Sequence, residues 1–262
     1  MQMTSRQRND IQFPRPVQTL LRSALLATGL CTLPLAGLAG EKSMQRIDRF
    51  EIDRTEVSVG EFRRFVQATG LVTSAQKEGG LVYELGWVNK PGWAWSTPYG
   101  KPASEDEPAV HVNFHEAAAY CRWAGKRLPT DREWTEAAYV EHRETPEAPF
   151  VRGQRYRYPT GDTPQGANCL DDCGPVNPVK HGAGLMRGAG HARIGTTKAG
   201  VNGLFDMGAN AWEWVDAADG SGRRTRGGSW WYGEAQMRES YLASKPPLFG
   251  AIYIGFRCAK DL

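Results

Sequence analysis

Apolar positions recur at helical spacing in three short stretches, each opened by an oxygen-bearing residue with a glutamate three places on. Ser58-Val-Gly-Glu61 predicts a helix over Val59–Thr69, stopped by Gly70. Asn113-Phe-His-Glu116 predicts one running through Ala124 to Gly125, and Thr130-Asp-Arg-Glu133 predicts a third to about Tyr139. In each box the first side chain satisfies an orphan amide of the first turn and the glutamate reaches back to the cap. Alternating stretches predict short strands over Gln45–Asp53, Arg224–Ser229 and Ile252–Ala259. Long Gly- and Pro-rich connections fill Trp93–Pro108 and Asn177–Asn202. With no repeat, coiled coil or dividing linker, the pattern is that of an α+β domain with little regular structure.

The first residues have a different pattern. A basic stretch ending at Arg22 precedes an apolar run from Ser23 to Ala36, followed by the small residues Gly37 and Ala39. This predicts a secretory signal over 1–39, removed to leave a domain over 44–262 in the periplasm or outside the cell. Pro34 and the glycines make the run short and broken for a spanning helix, so no stable membrane anchor is expected after cleavage. Cys31 follows Leu30 where a lipoprotein signal needs a small residue, so no lipid anchor is expected either.

Composition agrees with one globular domain behind an export segment: 262 residues, 40% apolar, with Gly 30, Pro 16 and Trp 9. Large aromatics would hold an irregular backbone. The formal charge of +3 comes from the arginines of the first 39 residues, and the remainder is balanced. No basic stripe for nucleic acid is indicated. Four cysteines remain after cleavage, Cys121, Cys169, Cys173 and Cys258. In an oxidising compartment they favour disulfides, with three pairings possible. Cys169-Leu-Asp-Asp-Cys173 could close a small loop.

Glu107-Pro-Ala-Val-His-Val-Asn-Phe-His-Glu-Ala-Ala-Ala-Tyr-Cys-Arg-Trp-Ala-Gly-Lys-Arg-Leu-Pro-Thr-Asp-Arg-Glu-Trp134 resembles the most recognisable stretch of the formylglycine-generating (sulfatase-modifying) enzymes. Asn202-Gly-Leu-Phe-Asp-Met-Gly-Ala-Asn-Ala-Trp-Glu-Trp214, Arg226-Gly-Gly-Ser-Trp230 and Gly255-Phe-Arg-Cys-Ala259 resemble further blocks of the family. The stretch Phe50–Phe62 is similar to its opening strand and helix. The blocks stand in family order and cover nearly all of 44–262. The resemblance implies a compact α+β fold distantly related to C-type lectins. It also implies a disulfide between Cys121 and Cys258, which leaves Cys169 and Cys173 for each other.

The resemblance implies copper bound by two cysteines just after Arg-Gly-Gly-Ser, a pair of thiolates suited to a cuprous ion. Here Tyr232 and Met237 stand at those positions, so genuine formylglycine generation is not expected and no redox metal is assigned. Ser229, Trp231, Tyr232, Met237 and Arg238 are the expected cleft residues, an aromatic and polarizable surface for a peptide or a ring-bearing small molecule. The resemblance further implies a structural calcium held by Asp206, Ala209, Ala211 and Glu213, through two carboxylates and two carbonyls. The alternative is a calcium-free turn with Glu213 in a salt bridge. Asn168-Cys169 matches a second family calcium turn with no carboxylate partner assigned. His111 and His115, before Glu116, superficially resemble an iron motif of sulfoxide synthases. The spacing is one residue short and the Asn113 cap falls between the histidines, so no metal is expected there. His181 and His191 carry no assignment. Two readings of function follow. One is an exported oxidoreductase with a repurposed cleft, like the branch of the family that matures pyoverdine-type siderophores. The other is a non-catalytic binding module on the same scaffold.

Overall fold

The computed structural model describes residues 43–262 apart from 172, 175, 184, 186–188 and 218–222. The expected export segment lies outside these residues. The first expected strand folds as two, β1 (Met44–Ile47) and β2 (Phe50–Asp53). Asp48 and Arg49 interrupt the alternation, and Asp48 turns the chain at φ 48°, a conformation Asp tolerates better than most residues. The capping box of Ser58 and Glu61 opens α1 (Val59–Thr69), which stops at the left-handed Gly70. A box not anticipated, Thr73 with Gln76, opens the short α2 (Ser74–Glu78). A hairpin of β3 (Gly80–Tyr83) and β4 (Trp87–Lys90) follows. Then come α3 (Phe114–Trp123) and α4 (Asp131–Tyr139), both at their expected caps.

The long loop expected over 177–202 contains a second hairpin, β5 (Pro178–Lys180) with β6 (Ala189–Ala192). After it run β7 (Trp212–Val215), β8 (Arg223–Arg226), β9 (Ala243–Lys245), β10 (Ile254–Gly255) and β11 (Ala259–Asp261). β8 ends at Arg226 rather than Ser229 because Gly227 and Gly228 both take positive φ. Position 227 must also lack a side chain, since a β-carbon would lie 2.6 Å from the Met207 carbonyl oxygen. The expected strand Ile252–Ala259 is two pieces in two sheets. β10 edges a four-stranded sheet ordered β10-β7-β8-β9, and β11 completes a three-stranded sheet ordered β1-β2-β11.

Between those pieces Phe256, Arg257 and Cys258 cross the interior, each with no exposed surface. Phe256 meets Phe62 of α1 at 6.1 Å and Tyr120 of α3 at 5.4 Å between ring centroids. Cys258 is bonded to Cys121 of α3, 137 residues away. By chain entropy alone closing so long a loop stabilises the fold by up to about 5 kcal/mol. Cys169 and Cys173 form the other bond, whose short loop contributes about 2 kcal/mol on the same reasoning. A second core lies under α4, where Trp134 and Tyr139 pack with Ile47, Ile52 and Met207. Among the described residues no helix is long and apolar enough to cross a membrane.

Candidate functional site

The glycine pair after β8 delivers residues 229–238 onto the turn that precedes β7. Trp230 donates its amide to the Asn210 carbonyl at 2.9 Å, and Ala209 donates to the Gly227 carbonyl at 2.7 Å. The five residues expected to share one cleft then separate. Ser229 and Met237 are fully buried. Met237 sulfur lies 3.9 Å from Cys173 sulfur, and its methyl occupies space that a β-carbon at Gly208 would invade. Arg238 turns to Glu234 at 2.6 Å and lies over the Tyr158 ring. It lines a different concavity, with Tyr156, Arg157, Arg226 and Glu239.

Trp231 and Tyr232 stay half-buried at the surface, side by side. Tyr232 donates to the Tyr253 hydroxyl at 3.3 Å and packs edge-on against Trp212. Trp231 rests between Trp230 at 4.9 Å and Tyr253 at 6.1 Å. The aromatic surface continues through Tyr253 to the exposed Trp87 of β4, which meets Phe249 at 4.8 Å. The Cys169–Cys173 loop is fastened to this surface by the Leu170 amide, which donates to the Tyr232 carbonyl at 2.9 Å. Burial pushes the Tyr253 phenol well above its ordinary pKa, and the Tyr232 hydrogen bond adds to this. Tyr253 is therefore neutral at any ordinary pH and acts as a brace.

Of the expected calcium ligands Asp206, Ala209 and Ala211 lie on one turn, in which Asp206, Ala209 and Asn210 all take left-handed φ, and Glu213 follows in β7. Glu213 Oε1 accepts from Arg257 Nη2 at 2.6 Å, and Oε2 accepts from Arg257 Nε and from Trp134 Nε1, both at 2.7 Å. Asp206 accepts from the Gly195 amide at 2.9 Å and the Thr197 hydroxyl at 2.5 Å. Glu56, which sequence reasoning passed over, is buried beside them and accepts from Asn210 and from the Ala211 amide. Burial and the neighbouring Asp206 and Glu213 charges hold Glu56 well above the usual carboxylate range, and burial also raises Asp206. Three buried carboxylates thus face one buried guanidinium. Glu213 thus makes the salt bridge of the calcium-free alternative, while carboxylate oxygens accept twice, so Asp206 and Glu213 Oε1 keep acceptor capacity. Among the described residues no three His, Cys, Asp or Glu side chains converge as a metal cluster. Asn168 bonds the Gly190 carbonyl and the Asn210 side chain, so it ties two turns together.

The histidines divide as the cap predicts. His115 is exposed in the first turn of α3. His111 is buried at φ 58°, with Nε2 on the Pro98 carbonyl at 3.0 Å and no hydrogen bond at Nδ1. Burial lowers its pKa to about 4, keeping it neutral. His191 sits between the Tyr99 hydroxyl and the Glu107 carboxylate, at 2.8 Å from each, and all three residues are buried. His181 stacks on Tyr99 with ring centroids 4.3 Å apart. Nothing in the local sequence brings Tyr99, Glu107 and His191 together, because all three stand in or beside loops without periodicity.

Short helices around small sheets, a glycine-turn segment zipped to the Trp-Glu-Trp strand, and a long-range disulfide define a formylglycine-generating-enzyme-like protein. Residues 13–262 match the family described as sulfatase-modifying factor enzyme 1-like domain, and the chain belongs to it. It is 32% identical to the formylglycine-generating enzyme of Thermomonospora curvata, over 82% of this chain and 83% of that protein. It is 28% identical to hercynine oxygenase of Mycolicibacterium smegmatis, over 82% of this chain and 54% of that protein. Among solved structures it is similar to PvdO from Pseudomonas aeruginosa, with TM-score 0.53, 20% identity, and 81% and 80% of the two chains covered. The fold is therefore shared with enzymes that include an oxygenase, which supports an oxidoreductase-like reading.

Proposed function

We propose that this chain is an exported oxidoreductase that works without a copper–cysteine centre. It holds a peptidic or siderophore-like, ring-bearing substrate against Trp231 and Tyr232. The observation that carries the reading is the pair itself: two half-buried aromatics, braced from below by Trp230, Trp212 and Tyr253. Flat π-faces held rigid bind rings by stacking at little entropic cost. Two further observations support the loss of copper chemistry. Tyr232 and Met237 stand where the family's thiolates are expected, and the four cysteines of the described residues are bonded in pairs.

A binding module without turnover is the second reading. It is favoured by the commitment of Ser229 to the interior and of Arg238 to Glu234. Calorimetric titration with a catechol-bearing peptide, with oxygen uptake recorded in parallel, separates the two. Binding lost in Trp231→Ala together with uptake supports the oxidoreductase. Binding without uptake leaves the module, and no binding removes the aromatic surface from both. Export is checked by fractionation and amino-terminal sequencing, with a periplasmic form beginning near Gly40 as the expected result.

Calcium at the turn of Asp206, Ala209, Ala211 and Glu213 belongs to the same proposal, as an ion that offsets the excess buried negative charge. Chelation with EGTA is expected to lower the melting temperature and added calcium to restore it. An unchanged melting temperature would leave Arg257 as the sole counter-charge.

A further inference from the structure

The group of Tyr99, His191 and Glu107 is too deeply buried to touch a ligand, with Tyr99 6% exposed and His191 fully enclosed. A satisfied polar network is one use for such a group. Its surroundings suit another. Tyr99 lies 6.3 Å from Trp230 between ring centroids, and Trp230 lies 4.9 Å from the half-exposed Trp231. An unbroken aromatic route therefore leads from the phenol to the proposed ligand surface.

The hydrogen-bond directions are fixed by chemistry. Burial pushes Glu107 up, but hydrogen bonds from His191 and the Ser104 amide hold it below the usual range, so it is ionised and can only accept. His191 Nε2 then carries a hydrogen, and in the neutral ring Nδ1 accepts from the Tyr99 hydroxyl. The same hydroxyl accepts from the His191 amide at 3.0 Å. Room for the phenol is made by Gly190, where a β-carbon would stand 1.9 Å from the Tyr99 oxygen.

Removing an electron from a buried phenol that kept its proton would leave an uncompensated cation in a low-dielectric interior, a large cost. Here the proton has an acceptor within hydrogen-bond reach, and the imidazolium formed would lie against the Glu107 carboxylate. We propose that Tyr99 is a redox-active tyrosine, with His191 as its proton acceptor and Trp230 and Trp231 as its electron route. It takes up an oxidising equivalent delivered at Trp231 by a peroxyl radical.

The balance is one electron and one proton. The peroxyl radical gains an electron from Trp231 and a proton from solvent and becomes a hydroperoxide. The hole passes through Trp230 to Tyr99, whose phenolic proton shifts to His191 Nδ1. A phenolic or catecholic ligand on Trp231 then returns an electron, loses its own hydroxyl proton to solvent and leaves as a phenoxyl or semiquinone radical, while the proton on His191 goes back to Tyr99. The inference rests on the proposed aromatic surface only for this last donor.

The test is flash oxidation of the whole protein with a photo-oxidised ruthenium(III) tris-bipyridine complex, followed by transient absorption and electron paramagnetic resonance. A tyrosyl signal is expected, with a solvent deuterium effect on its formation. It should be lost in Tyr99→Phe, where an indole radical accumulates instead, and slowed in Trp231→Phe, a surface change that spares the fold. An undiminished tyrosyl signal in Tyr99→Phe, or only an indole radical in the unmodified protein, overturns the proposal. Binding of the catechol peptide without a Tyr99 radical would sink this inference alone. A Tyr99 radical without peptide binding would sink only the ligand reading.

Discussion

The turn at Asn210 has two unlike flanks. On one, Glu56, Asp206, Glu213 and Arg257 are buried, and each is hydrogen-bonded to other groups of the chain. On the other, Trp231, Tyr232 and Trp87 face solvent over a layer of buried rings. Both flanks come from the same recognisable motifs, since Glu213 stands in Trp-Glu-Trp, Arg257 in Gly-Phe-Arg-Cys, and Trp231 just after Arg-Gly-Gly-Ser. Motif residues of this fold therefore serve two ends. Charged ones lock the irregular backbone, and only a few aromatics are left to meet a partner.

Substitutions should separate the flanks by size of effect. The largest is expected for Arg257→Ala, which strands Glu213 without its buried partner. The loss of stability should be about 3–5 kcal/mol in urea denaturation. A loss under 1 kcal/mol would mean that the charged flank is not what holds the turn.

The next effect is on pH dependence. His111 titrates at about 4 when folded, against 6.5 for an unperturbed histidine. The unfolded chain therefore binds the extra proton between these values, and stability is lost as pH falls from 6.5 toward 4, by about 3 kcal/mol at the lower end. His111→Asn keeps a residue that tolerates the left-handed backbone and should flatten that part of the curve. Matching curves for variant and parent would remove His111 as a contributor. The smallest stability change, about 1 kcal/mol or less, is expected for Trp231→Ala, with ligand binding lost all the same. A large stability loss there would erase the contrast between the flanks.

Legibility followed the range of the interactions. The helices of Ser58, Asn113 and Thr130 were readable because a cap acts within four residues. The α2 turn was missed because its box, Thr73 to Gln76, precedes too short an apolar pattern. The β3–β4 and β5–β6 hairpins were missed because their segments are three or four residues long and rich in glycine or exposed aromatics. The expected cleft was only partly legible. Sequence order placed Ser229 through Arg238 near one another, but it carried no information on which way each side chain turns. Met237 turns inward onto Cys173, in a distant part of the chain, and Arg238 pairs with Glu234 four residues back while lying over the distant Tyr158 ring. Glu56 with Arg257, and Tyr99 with His191, are joined only by the tertiary fold.

The missing β-carbon at Gly190 ties the identity of one position to that of another. A family member with any side chain at this place has no room for a phenol posed as Tyr99 is here. The two positions are therefore expected to vary together, so that a tyrosine at the first accompanies a glycine at the second wherever the buried relay is kept.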